Sequence, residues 1–383
     1  MTATARPSIP AARFEARLAA ARRLVREHDL SALLVGVGAD LRYLTGYVAM
    51  PLERLTMLVV TADGPGRLVV PRLERDPAER SSAAHGGLVE VVAWDETDDP
   101  HELVASFIAG RGSLAVSDTL WAVHLLRLEA ELHGSTFVPG SSVTSELRIV
   151  KDADEIELLR LAAQAADRVI EQIVAGPLIG RTEADVGLEV RDRLVAEGHD
   201  AAEFAIVASG PNSASPHHQA SDRVISAGEP VVLDIGGPLA GYGSDITRTV
   251  WIAGPGPDGG PDPEFVRIYG LVRDAHAAAS QAARPGIPPE DVDAVARRVI
   301  ADGGYGDRFI HRTGHGIGLD GHEEPYLVAG NDERLRAGMA FSIEPGVYLE
   351  GRYGVRIEDI VVCTEDGSES LNEAPRELTV VDG

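Results

Sequence analysis

Cysteine is almost absent: Cys363 is the single one in 383 residues. No intramolecular disulfide can therefore brace the chain, and a reducing compartment suits it. Basic residues are also scarce, with 35 Lys plus Arg against 60 Asp plus Glu and a formal net charge of −25. Such a surface repels phosphate backbones and anionic lipid headgroups, so neither a nucleic-acid partner nor a membrane partner is expected. No run reaches the roughly 18 apolar residues of a membrane span. The N-terminal region, through Arg22-Arg23-Leu24-Val25-Arg26-Glu27, shows neither the apolar stretch nor the cleavage site of a secretory signal. The expected location is the cytoplasm. There is no GxSxG elbow, no CxxC pair, no internal repeat and no low-complexity tract. What remains is an ordinary globular composition, 44% hydrophobic and 25% charged, in a chain long enough for two domains at about 150 residues each.

The first 148 residues read as a compact α/β domain. Phe14, Leu18, Ala21 and Val25 recur at helical spacing between Pro10 and Val25, which predicts an amphipathic helix. Strands are expected at 31–35, 58–61, 68–70, 89–94 and 114–116, with helices at 101–109 and 121–133. Asp63-Gly64-Pro65-Gly66 should turn one strand into the next. No catalytic constellation stands out there. From 149 to 383 the pattern changes. Ile156, Leu159, Ala163, Ala166, Ile170 and Ile173 mark a long helix with one apolar face. Thr182 with Asp185 starts a second that Gly198 ends, Asp262-Pro263-Glu264 starts a third that Pro285-Gly286 stops, and a fourth covers about 289–301. Extended runs around 231–235, 245–252, 340–344 and 355–362 without βαβ alternation predict an α+β domain with an antiparallel sheet.

Two glycine patterns are decoys. Gly254-Pro255-Gly256-Pro257-Asp258-Gly259 matches GxGxxG, but its prolines remove amide donors that a phosphate cradle needs. Gly316-Ile317-Gly318-Leu319-Asp320-Gly321 has no strong strand before it and no capped helix after it. His322-Glu323-Glu324-Pro325-Tyr326 opens like HExxH, yet Tyr326 stands in place of the second histidine and Pro325 spoils a helix. Cys363, in Ile360-Val361-Val362-Cys363, reads as a buried strand residue.

Chemistry concentrates in residues 217–359. Asp234, Asp245, Glu344 and Glu358 all fall in or beside apolar strand-like runs. Each alone reads as a salt-bridged or strand-end acid. Four in one domain, with no matching set of buried-looking lysines or arginines, call for a positive charge from elsewhere, and a metal pair would supply it. His311, His315 and His322 crowd one glycine-rich segment, and His217-His218 follow Pro216. His276 reads as a packed core residue.

Together these segments resemble the pita-bread metallopeptidases, in particular their proline-specific branch of Xaa-Pro dipeptidases and aminopeptidases P with a creatinase-like N-terminal domain. The specific motifs are Asp234-Ile235-Gly236, Ser244-Asp245-Ile246-Thr247-Arg248-Thr249, Gly314-His315-Gly316-Ile317-Gly318, Ile343-Glu344-Pro345-Gly346 and Val355-Arg356-Ile357-Glu358-Asp359. Arg42-Tyr43-Leu44-Thr45-Gly46-Tyr47 looks like the start of an N-domain strand, and Glu146-Leu147-Arg148 through Glu155 like the domain boundary. The resemblance implies an α+β pita-bread catalytic domain over 149–383, preceded by a smaller α/β creatinase-like domain over 1–148, and a homodimer in the manner of many relatives.

It also implies roles. Asp234, Asp245, His315, Glu344 and Glu358 would hold two divalent ions, Mn²⁺ first, with Co²⁺, Fe²⁺ or Zn²⁺ as alternatives. A metal-bridging water would attack, with Glu344 as general base. His217 would contact the scissile amide and His322 would donate to the developing oxyanion. Arg356 and Tyr348 would line the substrate pocket, flanked by His311. The implied reaction is hydrolysis of the Xaa-Pro bond at the N-terminus of dipeptides or short peptides whose second residue is proline. A metal-dependent hydrolase or lyase of a non-peptide small molecule on the same fold is the alternative, and a non-catalytic binding module is disfavoured by five ligand positions out of five. One position departs from the pattern. Tyr326 stands four residues after His322, where such dipeptidases commonly carry an arginine for the substrate carboxylate. Arg334, Arg336 and Arg352 are the candidates to replace it, and longer peptides come into range without it.

Overall fold

The periodic apolar residues near the N-terminus do form one helix, Ala11–Glu27, which buries Phe14, Leu18, Ala21 and Val25. This is a computed structural model, and it describes residues 8–255 and 259–382. Gly256, Pro257 and Asp258 of the first decoy loop lie outside the described residues. The chain divides into two units, Ile9–Arg148 and the segment from Ile149 onward.

The first unit holds a mixed six-stranded sheet. Its spatial order is Val89–Trp94, Gly66–Pro71, Met57–Val60, Leu30–Val35, Ser113–Val116 and Thr136–Pro139. Met57–Val60 runs antiparallel to both its neighbours, and the remaining pairs are parallel. The turn at 63–66 makes the expected hairpin, with Met57 opposite Val69. Ala32, Leu34, Met57, Val59, Val69 and Leu114 enter one apolar core under the helices Pro100–Ser106 and Ala122–Glu131. Arg42–Tyr47 is not a strand. It belongs to the helix Ala39–Thr45, in which Leu41, Leu44 and Thr45 share the buried side. Gly46, at φ 73°, ends it in the left-handed region that glycine enters freely. Thr136–Pro139 escaped the sequence because its residues are half-buried or exposed throughout.

The second unit is α+β. One antiparallel array joins Phe204–Ser209, Pro230–Leu239 and Tyr242–Ile252, with Val380–Val381 added in parallel. The helices Ala153–Val174 and Glu183–Ala196 pack on it through Val169, Ile170, Val186 and Val190. A second sheet runs Glu323–Leu327, Gly314–Gly316, Ala340–Ile343, Asp359–Cys363 and Ser368–Ser370, all antiparallel. The helices Pro263–Ala282 and Pro289–Asp302 cover its apolar side, where Cys363 is buried beside Phe341 and Val361. A hairpin of Gly346–Leu349 and Tyr353–Arg356 falls in sequence between two strands of that second sheet, Ala340–Ile343 and Asp359–Cys363. The helix starts follow local chemistry. Thr182 accepts from the Asp185 amide at 3.0 Å, Asp262 caps its helix, and Asp152 with Glu155 forms a full capping box.

The run 355–362 does not form one strand. It splits at Ile357-Glu358 because its halves belong to different sheets. The Glu358 amide donates across the break to the Thr247 carbonyl at 3.1 Å, joining the break to the first array.

The alternation of side chains explains what each sheet shows to its two sides. Val231, Leu233 and Ile235 face the helices, as do Ile246, Val250 and Ile252 on the neighbouring strand. Asp234, Asp245, Thr247 and Thr249 therefore point to the other face. Phe341, Ile343, Val355 and Ile357 enter the second helical core, which turns Ser342, Glu344, Arg356 and Glu358 away from it. Two apolar patterns thus aim their polar halves at common ground.

Candidate metal centre

That common ground is a cavity of about 300 Å³ lined by Phe204, Ile206, Pro216, His217, Asp234, Asp245, His311, Arg312, His315, His322, Glu344, Arg356 and Glu358. Asp234 and Asp245 lie on adjacent strands, with Thr247 opposite Asp234 and Gly236 opposite Asp245. A two-residue stagger puts both carboxylates on one face. His315 arrives on the short strand Gly314–Gly316, whose glycines are required by close backbone contact. A Cβ at 314 would collide with the Ser342 carbonyl, and one at 316 with the Glu324 carbonyl.

Donor atoms of Asp245, His315 and Glu358 all lie within 4.8 Å of one another. His315 Nε2 is 3.6 Å from Asp245 Oδ2 and 3.4 Å from Glu344 Oε1. Its Nδ1 lies 3.2 Å from the Gly316 carbonyl oxygen, an arrangement that makes Nδ1 the donor and leaves a lone pair on Nε2. Burial, together with the adjacent His322, pushes the imidazole down to about 3, so it is neutral at working pH. A bare nitrogen lone pair then faces two carboxylates. Lone pairs repel, and a shared cation turns that repulsion into coordination.

The carboxylates carry the same strain. Burial raises Asp245 well above the usual carboxylate range, and Asp234 and Glu344 add to it. Glu358 is raised by burial and by Asp245. Burial brings Glu344 up to about 7, with Arg356 opposing and Asp234 assisting. Asp234 Oδ1 is buried without a hydrogen-bond partner. Four carboxylates and one imidazole, with an orphaned carboxylate oxygen among them, form a hard donor set suited to divalent cations of the Mn²⁺, Fe²⁺ or Co²⁺ type. The residues fit such a group.

The pattern of the strands predicts no buried positive charge here, and the structure corrects that expectation. Arg356 is 3% exposed and pairs with Asp234. It also donates to Tyr348 Oη at 2.8 Å, Thr247 Oγ1 at 3.1 Å and the Pro216 carbonyl at 3.3 Å. Thr247 Oγ1 in turn donates to Glu358 Oε2 at 2.7 Å. One guanidinium still leaves most of the cavity's negative charge uncompensated.

Of the residues expected around the substrate, His217, His322, His311 and Arg356 line the cavity. The His322 ring stands 3.9 Å from that of His315, centroid to centroid. Tyr348 lies one layer behind. Fully buried, it accepts from Arg356 and donates to His311 Nε2 at 2.8 Å, while His311 Nδ1 donates to the Arg312 carbonyl at 2.7 Å. His218 turns away to Glu183 at 2.7 Å. Arg312 was missed, since an arginine in His311-Arg312-Thr313 gives no signal by spacing. Arg334, Arg336 and Arg352 are engaged elsewhere, with the Gly286 carbonyl, Glu333 and Glu264.

Comparison with known proteins agrees with this geometry. Residues 17–150 match the creatinase/prolidase N-terminal domain and residues 157–365 match metallopeptidase family M24. The crystal structure of dipeptidase PepE from Mycobacterium ulcerans is 46% identical, with a TM-score of 0.92 over 98% of this chain and 100% of that one. A prolidase from Thermococcus sibiricus is 37% identical, TM-score 0.88, covering 96% and 99% of the two chains. An Xaa-Pro dipeptidase from Bacillus anthracis is 30% identical, TM-score 0.86, again covering 96% and 99%. The neighbours share the pita-bread fold, and this chain belongs to metallopeptidase family M24, with a creatinase/prolidase N-terminal domain ahead of its catalytic domain.

Proposed function

We propose that the protein is a dinuclear metallopeptidase that hydrolyses the Xaa-Pro bond at the N-terminus of dipeptides or short peptides. The observation that carries this is the convergence of Asp234, Asp245, His315, Glu344 and Glu358 on one cavity, with a neutral imidazole facing carboxylates. These five residues would hold the ions. When bound, a pair of divalent ions supplies an attacking water acidified toward neutral pH and a polarised scissile carbonyl. Glu344 accepts the proton of the attacking water and passes it to the departing proline nitrogen. Ser342 Oγ, 3.2 Å from Glu344 Oε1, donates to that carboxylate and fixes its direction. His322 donates to the oxygen that gains charge, a role suited to a ring at the cavity wall beside His315. His217 contacts the scissile amide from the Pro216 side. Arg356 and His311, tied through Tyr348, brace the wall against the bound peptide. Mn²⁺ as working ion, a homodimeric assembly and a cytoplasmic location belong to the same proposal, supported by the hard donor set and the family resemblance. Among the described residues no helix is long and apolar enough to cross a membrane.

The test is a substrate panel on metal-stripped enzyme with Mn²⁺, Co²⁺ or Zn²⁺ restored. Ala-Pro, Leu-Pro and an Xaa-Pro-Xaa tripeptide should lose their first residue, Xaa-Ala controls should not, and Asp245→Ala should abolish turnover. Retained metal with no cleavage of any peptide would overturn the proposal and favour a non-peptide substrate.

A further inference from the structure

The cavity has a second arginine, which acts on Glu344 through space without pairing with it. Arg356 is spent on Asp234, Tyr348, Thr247 and Pro216. Arg312 also lines the cavity, yet among the described residues its guanidinium has no ion-pair partner. It is not a loose surface group. It is half-buried, and its Cζ sits 4.4 Å from the centroid of the Tyr326 ring. Tyr326 is itself held in place, because its amide donates to Glu324 at 3.1 Å and its carbonyl accepts from Asn331 at 2.8 Å.

Stacking on an aromatic face fixes the plane of a guanidinium while leaving its edge of N–H donors free. Such an edge matches a carboxylate through two parallel hydrogen bonds. The setting sharpens the case. The chain carries a formal charge of −25, and the cavity walls hold four carboxylates. An anionic group entering it needs a dedicated cation, and Arg334, Arg336 and Arg352 are each bound elsewhere. A cavity of about 300 Å³ is also at the small end for ligand sites, which suits a short substrate whose terminus lies inside.

We propose that Arg312, seated on Tyr326, binds the free C-terminal carboxylate of the substrate and so makes the site select dipeptides over longer or C-terminally blocked peptides. The inference rests on the peptide-cleaving function proposed above. It makes Tyr326 the platform for the carboxylate's cation, in contrast to a substitution that leaves the carboxylate unbound.

The experiment compares Ala-Pro, Ala-Pro amide and Ala-Pro-Ala on the metal-loaded full chain and on Arg312→Met, Arg312→Lys and Tyr326→Leu. The wild-type enzyme should favour the free dipeptide. Arg312→Met should raise KM for Ala-Pro roughly 10- to 100-fold, the size of a lost charge-assisted contact, while kcat stays within about 3-fold and the amide is unaffected. Arg312→Lys should recover part of the loss, and Tyr326→Leu should raise KM for Ala-Pro by a smaller factor. Binding of L-proline against prolinamide, read by calorimetry on the same variants, gives a readout independent of turnover. If the wild type cleaves Ala-Pro and its amide equally well, or Arg312→Met affects both equally, the carboxylate role is overturned while the peptidase stands. If no peptide is cleaved by metal-loaded enzyme, the peptidase proposal falls and takes the carboxylate role with it.

Discussion

Glu358 and Asp359 are neighbours in sequence with opposite surroundings. Asp359 turns to a fully ionic cluster: Arg248 Nη2 is 2.7 Å away, His276 Nε2 is 3.0 Å away, and Arg376 completes the set. Burial opposes ionisation there, but Arg248, His276 and Arg376 hold the carboxyl well below its usual range. Glu358 turns to the cavity, where burial and Asp245 raise it. Both side chains are shut away from water. What separates them is cationic supply. Asp359 has its counter-charge built in, while Glu358 faces a cavity whose four carboxylates outnumber its two arginines, Arg356 and Arg312. A buried acid matched by protein groups serves the fold; one left to be matched by something added serves chemistry.

The largest effect should come from removing a cavity carboxylate. Asp245→Asn and Glu358→Gln should each lower kcat/KM by about 10³-fold or more, a loss of about 4 kcal/mol in barrier terms. Divalent-ion binding by calorimetry should weaken in parallel, while the urea midpoint of the metal-free protein stays level or rises, since a strained buried charge has gone. A metal-free variant that unfolds far earlier than metal-free wild type would place these acids with Asp359 instead.

Asp359→Asn should do the reverse. It strands Arg248, whose other hydrogen bonds go to the carbonyls of Thr247, Glu358, Ala374 and Pro375. Losing one partner of a buried pair costs about 3–5 kcal/mol, which corresponds to a Tm lower by on the order of 10 °C in a unit of this size. Thermal unfolding without metal checks it, and an unchanged Tm would show that the cluster contributes nothing net.

Glu183 gives a milder version of the matched case, with hydroxyls and amides in place of arginines. It accepts from the Ser209 amide and hydroxyl, Asn212, His218, and the Ser221 amide and hydroxyl. Burial pushes its proton affinity up, but the bonds from Ser221, Ser209 and His218 prevail and bring it down to about 2 from 4.5. A lowered carboxylate stabilises the fold fully above its unfolded value and ceases to do so as pH falls through its folded one. Wild-type stability should therefore drop between about pH 4.5 and 2. Glu183→Gln should cost about 2 kcal/mol at neutral pH and flatten that part of the acid profile. Denaturant titrations at pH 7, 4 and 3 would read both, and parallel profiles for the two proteins would refute the assignment.

This contrast was only half legible in the sequence. Asp234, Asp245, Glu344 and Glu358 announce themselves because a charge inside an alternating apolar run is a local anomaly. His315 is flagged by the glycines around it. Their cations were not legible. Arg356 sits one position from Ile357 in a run that looks like one strand, and only the split between two sheets turns it inward. Arg248 reads as part of a polar motif, yet it meets Asp359 across 111 residues. The long helices were legible from their spacing and caps. The short helix Ala39–Thr45 and the strand Gly314–Gly316 were not, because they are too short to show a period and are fixed by packing.

The smallest effect should come from a charge pair that faces water. Arg352 lies 2.8 Å from Glu264, with the two side chains 50% and 40% exposed, and its sequence position made it a candidate for the substrate carboxylate. Exposed pairs of this kind contribute little to stability, since water and salt screen each charge whether or not the partner is there. Arg352→Ala should thus leave the unfolding midpoint nearly unchanged and KM for Ala-Pro within about 2-fold, an effect below that of any buried charge contact. A large rise in KM for the free dipeptide but not its amide would move carboxylate recognition from Arg312 to the loop at 350–352. An unchanged KM, beside a raised one for Arg312→Met, would assign it to the cation whose side chain faces the cavity. That is the same distinction that separates Glu358 from Asp359: charge acts on substrate only where the protein has left it unmatched.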